Sequence, residues 1–297
     1  MLPAPYVRVV DDPPMADAWD LADAAARRAG VRIDPLRTLE DVDRLNPVID
    51  HAWGGQVFQR EILRAFQYAG CILLGAREHD APQDAELVGF VFGFLGHDRG
   101  LHVHSHMLAV LSAWQAKGVG LALKVAQRAA ALDLSIQDMR WTFDPMIRRN
   151  GWFNLMKLGT VATRFMRDFY GEMSDDVNRG ERSDRFEVSW SLDSERVSRA
   201  LEQGLRPADA AGVVLLSADG DPAAPRPVPT GAPPGQRALV AVPADHVALR
   251  RADPGLAAAW REAAAEAFRA CFDAGLVVTA VSPNGSYVFE PVGRERP

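Results

Sequence analysis

A mixed α/β fold is predicted by three features of the chain. Apolar runs of strand length alternate with amphipathic stretches of helical spacing over the first 195 or so residues. Three strand-like runs follow one another between residues 71 and 110 with no helix between them, which argues against a purely parallel βαβ chain. After about residue 203 the composition shifts, and a second, smaller set of strands and a helix surrounds a stretch rich in Pro, Ala and Gly.

The elements follow in order. Asp11 and Asp12, then Pro13 and Pro14, open a helix through MADAWDLADAAARR that stops at Gly30, the usual order of cap, proline and terminal glycine. VRIDPLR alternates as a short strand. Thr38-Leu-Glu-Asp41 resembles a capping box opening the next helix. FQREILRAFQYAG is amphipathic and ends at Gly70. CILLGARE and LVGFVFGFLG read as strands joined by the polar turn HDAPQDAE. HVHSHMLAV is the next strand, followed by a glycine turn and a helix over about 118–133. MRWTFDP is a strand stopped by Pro145, Arg148 to Tyr170 is largely helical in pattern, and RFEVSWSL is a strand with clean alternation.

This order predicts an N-terminal helical extension over 1–30, a main domain over 31–200 and a smaller α/β unit over 201–297. The last contains GVVLLS, a loop at 218–236, RALVAVP, and the helix PGLAAAWREAAAEAFRACFDAG with Trp260, Phe268 and Phe272 as a core stripe. A hairpin turning at Asn284-Gly285 completes it.

Bulk properties narrow the function. At 297 residues and 48% hydrophobic, the chain can bury a sizeable core. A net charge of −6 disfavours a nucleic-acid partner, which would need a basic surface. No window approaches the roughly 18 apolar residues of a membrane span, and MLPAPYVRVVDDPP lacks the layout of a signal peptide. Cys71 and Cys271 lie far apart and follow no ligand spacing. A cytoplasmic protein with reduced cysteines and no membrane partner is expected.

Gln115, Gly118 and Gly120 fit Q/R-x-x-G-x-G/A between a strand and a helix. Glycines remove the Cβ atoms that would block close approach, and backbone N–H groups at a helix N-terminus point at an anion along the dipole. Lys117 adds a point charge. The rival is a plain strand-to-helix turn. A Rossmann reading fails because G-x-G-x-x-G is incomplete.

On an ideal strand, His102, His104 and His106 share one face with Leu108 and Val110, about 7 Å apart. No acidic or Cys partner stands at a persuasive spacing, so no metal cofactor is expected. Half-exposed strand histidines are the bland alternative. The functional one is proton transfer, because an imidazole with pKa near 6.5 is matched to deprotonating a substrate ammonium at neutral pH.

The order of elements and the glycine turn resemble the GNAT superfamily of acyl-CoA-dependent N-acyltransferases, over roughly residues 31–195. The resemblance implies a GNAT-like fold with a splayed mixed sheet and an acyl-CoA donor. It implies pantetheine bound by backbone of Leu108, Ala109, Val110 and Leu111, and pyrophosphate held by amides of Gln115, Ala116, Lys117, Gly118, Val119, Gly120 and Leu121. HSHMLAV followed by Gln115 is similar to the paired histidines of the arylalkylamine N-acetyltransferases, and His104 falls where other GNAT enzymes place a glutamate base. That implies His104 as base with His106 as partner, and a peripheral His102.

RRNGWFNLMKLGT resembles the GNAT stretch that carries a tyrosine acid four residues before a glycine; aligned on Gly159, that position is Leu155. Tyr170 is the candidate substitute. Asn150 and Asn154 are candidates for CoA amides or the acceptor, with capping as the rival. Thr142 and Asp144 fall near the implied acceptor mouth, although an Asp before Pro is often a turn residue. TFDP, N-G-W-F-N-L-x-K-L-G, D-F-Y-G and S-D-R-F-E-V-S-W look similar to a GNAT subgroup with an appended C-terminal region. Some of its members use succinyl-CoA to acylate amino acids. The expected activity is therefore transfer of an acetyl or succinyl group from acetyl-CoA or succinyl-CoA to a small-molecule amine or amino acid. The C-terminal unit is expected to shape the acceptor pocket or form a homodimer interface. The alternatives are a non-catalytic acyl-CoA-binding module and a zinc hydrolase using His102, His104 and His106.

Overall fold

A computed structural model describes residues 13–55, 59–171, 181–209 and 211–291. Asp11, Asp12 and the N-terminal segment read for a leader lie outside the described residues. The rest forms two compact units whose boundary falls between Met139 and Arg140, so the compositional shift near 203 lies within the second.

The first unit contains α1 (Pro13–Arg28), β1 (Val31–Pro35), α2 (Leu39–Asp43), α3 (Asn46–Trp53), α4 (Arg60–Tyr68), β2 (Ile72–Glu78), β3 (Gly89–Gly96), β4 (His102–Val110) and α5 (Val119–Asp133). Its strands run antiparallel in the order β1-β2-β3-β4. The capping box is present: Asp41 N–H donates to Thr38 Oγ1 at 3.1 Å and Thr38 N–H to the Asp41 carboxylate at 3.0 Å. Ala18, Ala22, Ala25 and Ala29 are buried, a small-residue face that lets α1 lie close on α5. Trp19 Nε1 donates to Asp133 Oδ2 at 2.8 Å across that contact. The main core gathers Leu45, Val48, Ile49 and Leu63 with Phe90, Phe92, Met107 and Ala109 of the sheet. Each such side chain taken from water contributes about 1.5–3 kcal/mol.

The second unit takes most of β5 (Asp138–Phe143), then α6 (Arg148–Trp152), β6 (Val161–Met166), β7 (Arg185–Ser191), α7 (Glu195–Gln203), β8 (Val213–Asp219), β9 (Arg226–Pro229), β10 (Ala238–Val240), α8 (His246–Ala252), α9 (Pro254–Asp273), β11 (Leu276–Val281) and β12 (Tyr287–Pro291). Its strand order is β5-β7-β6-β11-β12-β10-β8-β9. The β10–β8 pair is parallel, whereas β6–β7, β11–β6, β11–β12, β10–β12 and β8–β9 are antiparallel, so the α/β fold is mixed as expected. The core stripe of α9 is real: Trp260 and Phe268 are buried, and Phe268 packs on Phe186 with ring centroids 4.6 Å apart.

Two expectations need correction here. The stretch Arg148 to Tyr170 is not one helix. After α6 a π-helical turn spans Phe153–Lys157, Gly159 takes φ +75°, and Val161–Met166 becomes a strand paired with β7. The left-handed glycine ends the helix, and alternating Val161, Thr163 and Phe165 suit a pleated strand better than a helix. Second, the loop at 218–236 contains β9. Its Pro227 and Pro229 are tolerated because β9 is the last strand in the order, where no neighbour needs their missing N–H.

Candidate functional site

The first candidate lies on β4, in the first unit. The register with β3 shifts between Phe92 and Gly93: Phe92 faces Met107, Gly93 faces Ser105, and Phe94 faces His104. β4 therefore holds one residue more than β3 at this point, His106, which is a β-bulge. The bulge resets the alternation and overturns the expectation that all three histidines share a face with Leu108 and Val110. Leu108 and Val110 instead face α5, where a Cβ added to Gly120 would lie 3.9 Å from each, while Met107 and Ala109 join the core with Phe90 and Phe92. Ser105 also faces α5. His104 and His106 turn to the opposite side, among phenylalanines.

There the two imidazoles are half-buried, with centroids 5.8 Å apart. Phe94 lies 5.2 Å from His104 and 5.9 Å from His106, Phe92 lies 6.2 Å from His106, and Phe66 of α4 packs on both phenylalanines. Burial pushes the His106 imidazole below its ordinary range, so its neutral, proton-accepting form persists to lower pH. His102 is set apart. It is buried, its Nδ1 contacts Gly100 O at 2.9 Å, and its ring lies where a Cβ on Gly96 would be.

The glycine turn follows directly. A 3₁₀ turn, Ser112–Trp114, leads to exposed Gln115, Ala116, Lys117 and Gly118. Ala116 and Gly118 both have positive φ, +61° and +93°, and Gly118 is the N-cap of α5. No side chain caps this helix end. The first-turn amides of Val119, Gly120 and Leu121 thus end the helix without a side-chain acceptor, and alternating left-handed residues turn successive N–H groups to one side. A Cβ on Gly118 would meet nothing nearer than Ala29 Cβ at 3.7 Å, so the space above the turn is open. Gln115 Nε2 donates back to Val110 O at 3.1 Å, tying turn to strand, and Lys117 Nζ lies 4.7 Å from the Trp114 ring centroid. Amides presented in this way at a helix N-terminus are chemically suited to an anion.

A polar cluster missed by sequence reasoning lies beneath β4. Lys124 is fully buried; its Nζ donates to Ser105 Oγ at 2.9 Å and Gln127 Oε1 at 3.2 Å, and Ser105 Oγ donates to Gln127 Oε1 at 2.7 Å. Burial holds the Lys124 amine well below the usual lysine range. The available signal was a lysine and a glutamine three residues apart inside the otherwise apolar start of α5. Phe66, Phe92 and Phe94 were also missed, because an aromatic wall looks like ordinary core in a sequence.

The remaining candidates lie in the second unit. Thr142 and Tyr170 come together, their hydroxyls 3.3 Å apart, and Arg185 lies 5.4 Å from the Tyr170 ring centroid. Asn154 is buried and its Oδ1 accepts from Trp141 Nε1 at 3.1 Å, while Leu155 is fully buried. Asn150 donates its backbone N–H to Ile147 O. Asp144 faces two guanidiniums, Arg261 at 3.0 Å and Arg185 at 3.8 Å, and accepts from Met146 N at 2.8 Å. Arg261 also reaches Glu181 at 2.6 Å, and Glu181 contacts buried His246 at 2.9 Å. Burial alone would raise Glu181, but the hydrogen bond from His246 and the charge of Arg261 hold it at about 2.

Among the described residues, no group of three or more His, Cys, Asp or Glu side chains is placed to hold a metal ion. No described helix is long and apolar enough to cross a membrane. Neither a family model nor a curated protein matches the chain. Solved structures of GNAT acetyltransferases are among those that resemble it. Naa50 of Arabidopsis thaliana, bound to a CoA bisubstrate analogue, is 17% identical over 54% of this chain and 97% of its own, with a TM-score of 0.41. The ribosomal-protein-S18-alanine N-acetyltransferase of Escherichia coli is 13% identical over 55% and 94%, with a TM-score of 0.43. A GNAT-family acetyltransferase of Streptococcus pneumoniae is 13% identical over 54% and 98%, with a TM-score of 0.43.

Proposed function

We propose that this protein is an acyl-CoA-dependent N-acyltransferase acting on a small amine or amino acid by direct attack. The observation that carries the proposal is the bulged β4: it turns His104 and His106 to one face, and the same strand runs into the open, positive end of α5. About four residues, or about 13 Å of extended chain, separate His106 from Val110. An extended arm lying along this strand joins the two features. The donor supplies an activated thioester. Amides of Gln115 to Leu121 hold its diphosphate, and backbone of Leu108 to Leu111 aligns the arm. His104, with His106 beside it, takes the proton from the acceptor ammonium and frees the nucleophilic lone pair. His106 is suited to this because burial keeps it neutral.

Tyr170, hydrogen-bonded to Thr142, is assigned as proton donor in place of the tyrosine that Leu155 replaces. A thiol of pKa near 8.5 is a fair leaving group, so this acid is an aid more than a requirement. Acetyl and succinyl groups are both carried as donors. A second reading, acyl-CoA binding without turnover, is favoured by buried Leu155.

The test is CoA release from acetyl-CoA and succinyl-CoA across amines, amino acids and a peptide α-amine, alongside calorimetric titration with CoA. Release with an acceptor supports the enzyme. Binding without release from any acceptor moves the assignment to the binding module. Failure to bind CoA at all removes both.

A further inference from the structure

A cleft of about 410 Å³ lies within the second unit, in the size range of small-molecule sites. α7 contributes Arg196 and Arg199, one turn apart, and Arg206 follows just past its end; Met156, Thr279 and Glu290 line the other side.

The charges in this cleft do not balance. Arg196 donates through Nε to Gly159 O at 2.9 Å and through Nη2 to Thr279 O at 2.5 Å, both uncharged acceptors. Among the described residues no carboxylate stands within ion-pairing distance of Arg196 or Arg206. Glu290, the acid of the cleft, is already engaged by Thr279 Oγ1 at 2.6 Å and by Arg237 at 3.3 Å. Among the described residues Arg199 pairs with exposed Glu195, one turn earlier on its helix. Burial draws the Arg196 guanidinium below its usual range; the charge of Glu290 offsets part of this, and that of Arg199 adds to it. One acid, shared with Arg237, thus faces three arginines of the cleft, and an anionic ligand would lower the cost of the partly buried cation.

The shape of the site selects among anions. Two of the three Arg196 nitrogens are spent on carbonyls, leaving Nη1, so a many-oxygen phosphate finds few converging donors there. Met156, Leu205 and Ala280 supply apolar wall. We propose that this cleft binds a small organic carboxylate, its charge met by Arg196 and Arg206 and its apolar part lying against Met156 and Leu205. The site is independent of the acyl-transfer proposal and stands or falls separately.

Calorimetric titration of the full chain with hexanoate, hexanamide and inorganic phosphate tests it. Hexanoate is expected to bind, hexanamide to fail, and Arg206→Gln and Arg196→Lys each to weaken hexanoate about tenfold. Arg206 is exposed and makes no side-chain bond among the described residues, so R206Q decides the matter even if R196K fails to fold. Undiminished hexanoate binding in R206Q, or no hexanoate binding to the unaltered chain, overturns the proposal. Phosphate that binds as tightly as hexanoate and is lost in the same variants overturns the carboxylate assignment.

Discussion

The rings of His104 and His106 stand 5.8 Å apart on one side of β4, while Leu108, only two residues on, points to α5 on the other. The bulge at this point is what separates them. A regular strand would have placed all three in one row.

If this pair handles the acceptor proton, His104→Ala should lower kcat by about 100-fold and leave the Kd for CoA within a factor of two, in line with losses on removing a general base. Because burial lowers His106, the acid limb of kcat/KM is expected below the ordinary imidazole value of about 6.5. Steady-state kinetics across pH, with calorimetry for CoA, checks both. Unchanged turnover in H104A removes the base assignment.

Gly118 and Gly120 should respond differently to substitution. A Cβ on Gly120 would meet Leu108 and Val110 of β4 at 3.9 Å, ordinary contact, and its φ is not left-handed. Gly120→Ala, at the position where the motif admits alanine, should therefore hold or raise stability by up to about 1 kcal/mol and leave CoA affinity within about twofold. Gly118→Ala, at φ +93°, should cost about 1–2 kcal/mol of stability and weaken CoA about tenfold by displacing the amides of the turn. Thermal melts and titrations of the two variants distinguish these effects.

Lys124 makes stability depend on pH. Its amine titrates lower in the folded chain than the usual value of about 10.4, so the unfolded chain binds more protons. Stability therefore rises with pH up to about 10.4 and falls as pH drops toward the folded-state value, by up to about 1.4 kcal/mol per pH unit. Lys124→Met should flatten this slope and be the more stable variant near neutrality. Urea unfolding from about pH 6 to 9 measures it.

The cluster around Arg261 sets acid sensitivity in the second unit. Arg261→Met leaves Asp144 and Glu181 without their shared cation and should cost about 3–5 kcal/mol. Glu181, held at about 2, contributes stability that is complete above its unfolded value of about 4.3. That contribution is lost as pH falls toward about 2. Glu181→Gln should reduce the acid-induced loss, read as a shallower fall of Tm between those limits.

Much of the architecture was legible from local chemistry. Thr38 and Asp41 cap α2 as their spacing implies, Gly118 starts α5, and Asn284-Gly285 turns the last hairpin with Gly285 at φ +86°. These are contacts within a few residues, so spacing alone specifies them. β6 was hidden because its six residues sit in a stretch whose apolar spacing also fits a helix; pairing with Phe186 and Val188 of β7 settles the choice. β9 was hidden because proline normally argues against a strand, and only its terminal place in the sheet order permits it.

By itself the sequence determined the mixed α/β class, the cap of α2 and the glycine turn that opens α5, since each follows from periodicity, caps and the conformational freedom of a few residues. Only the tertiary structure decided which way the histidines face and that Lys124, one helical turn past Gly120, lies buried against Ser105. The physical reason is register: one extra residue in a strand reverses every side chain beyond it, and that count is fixed by a partner strand the local sequence does not contain.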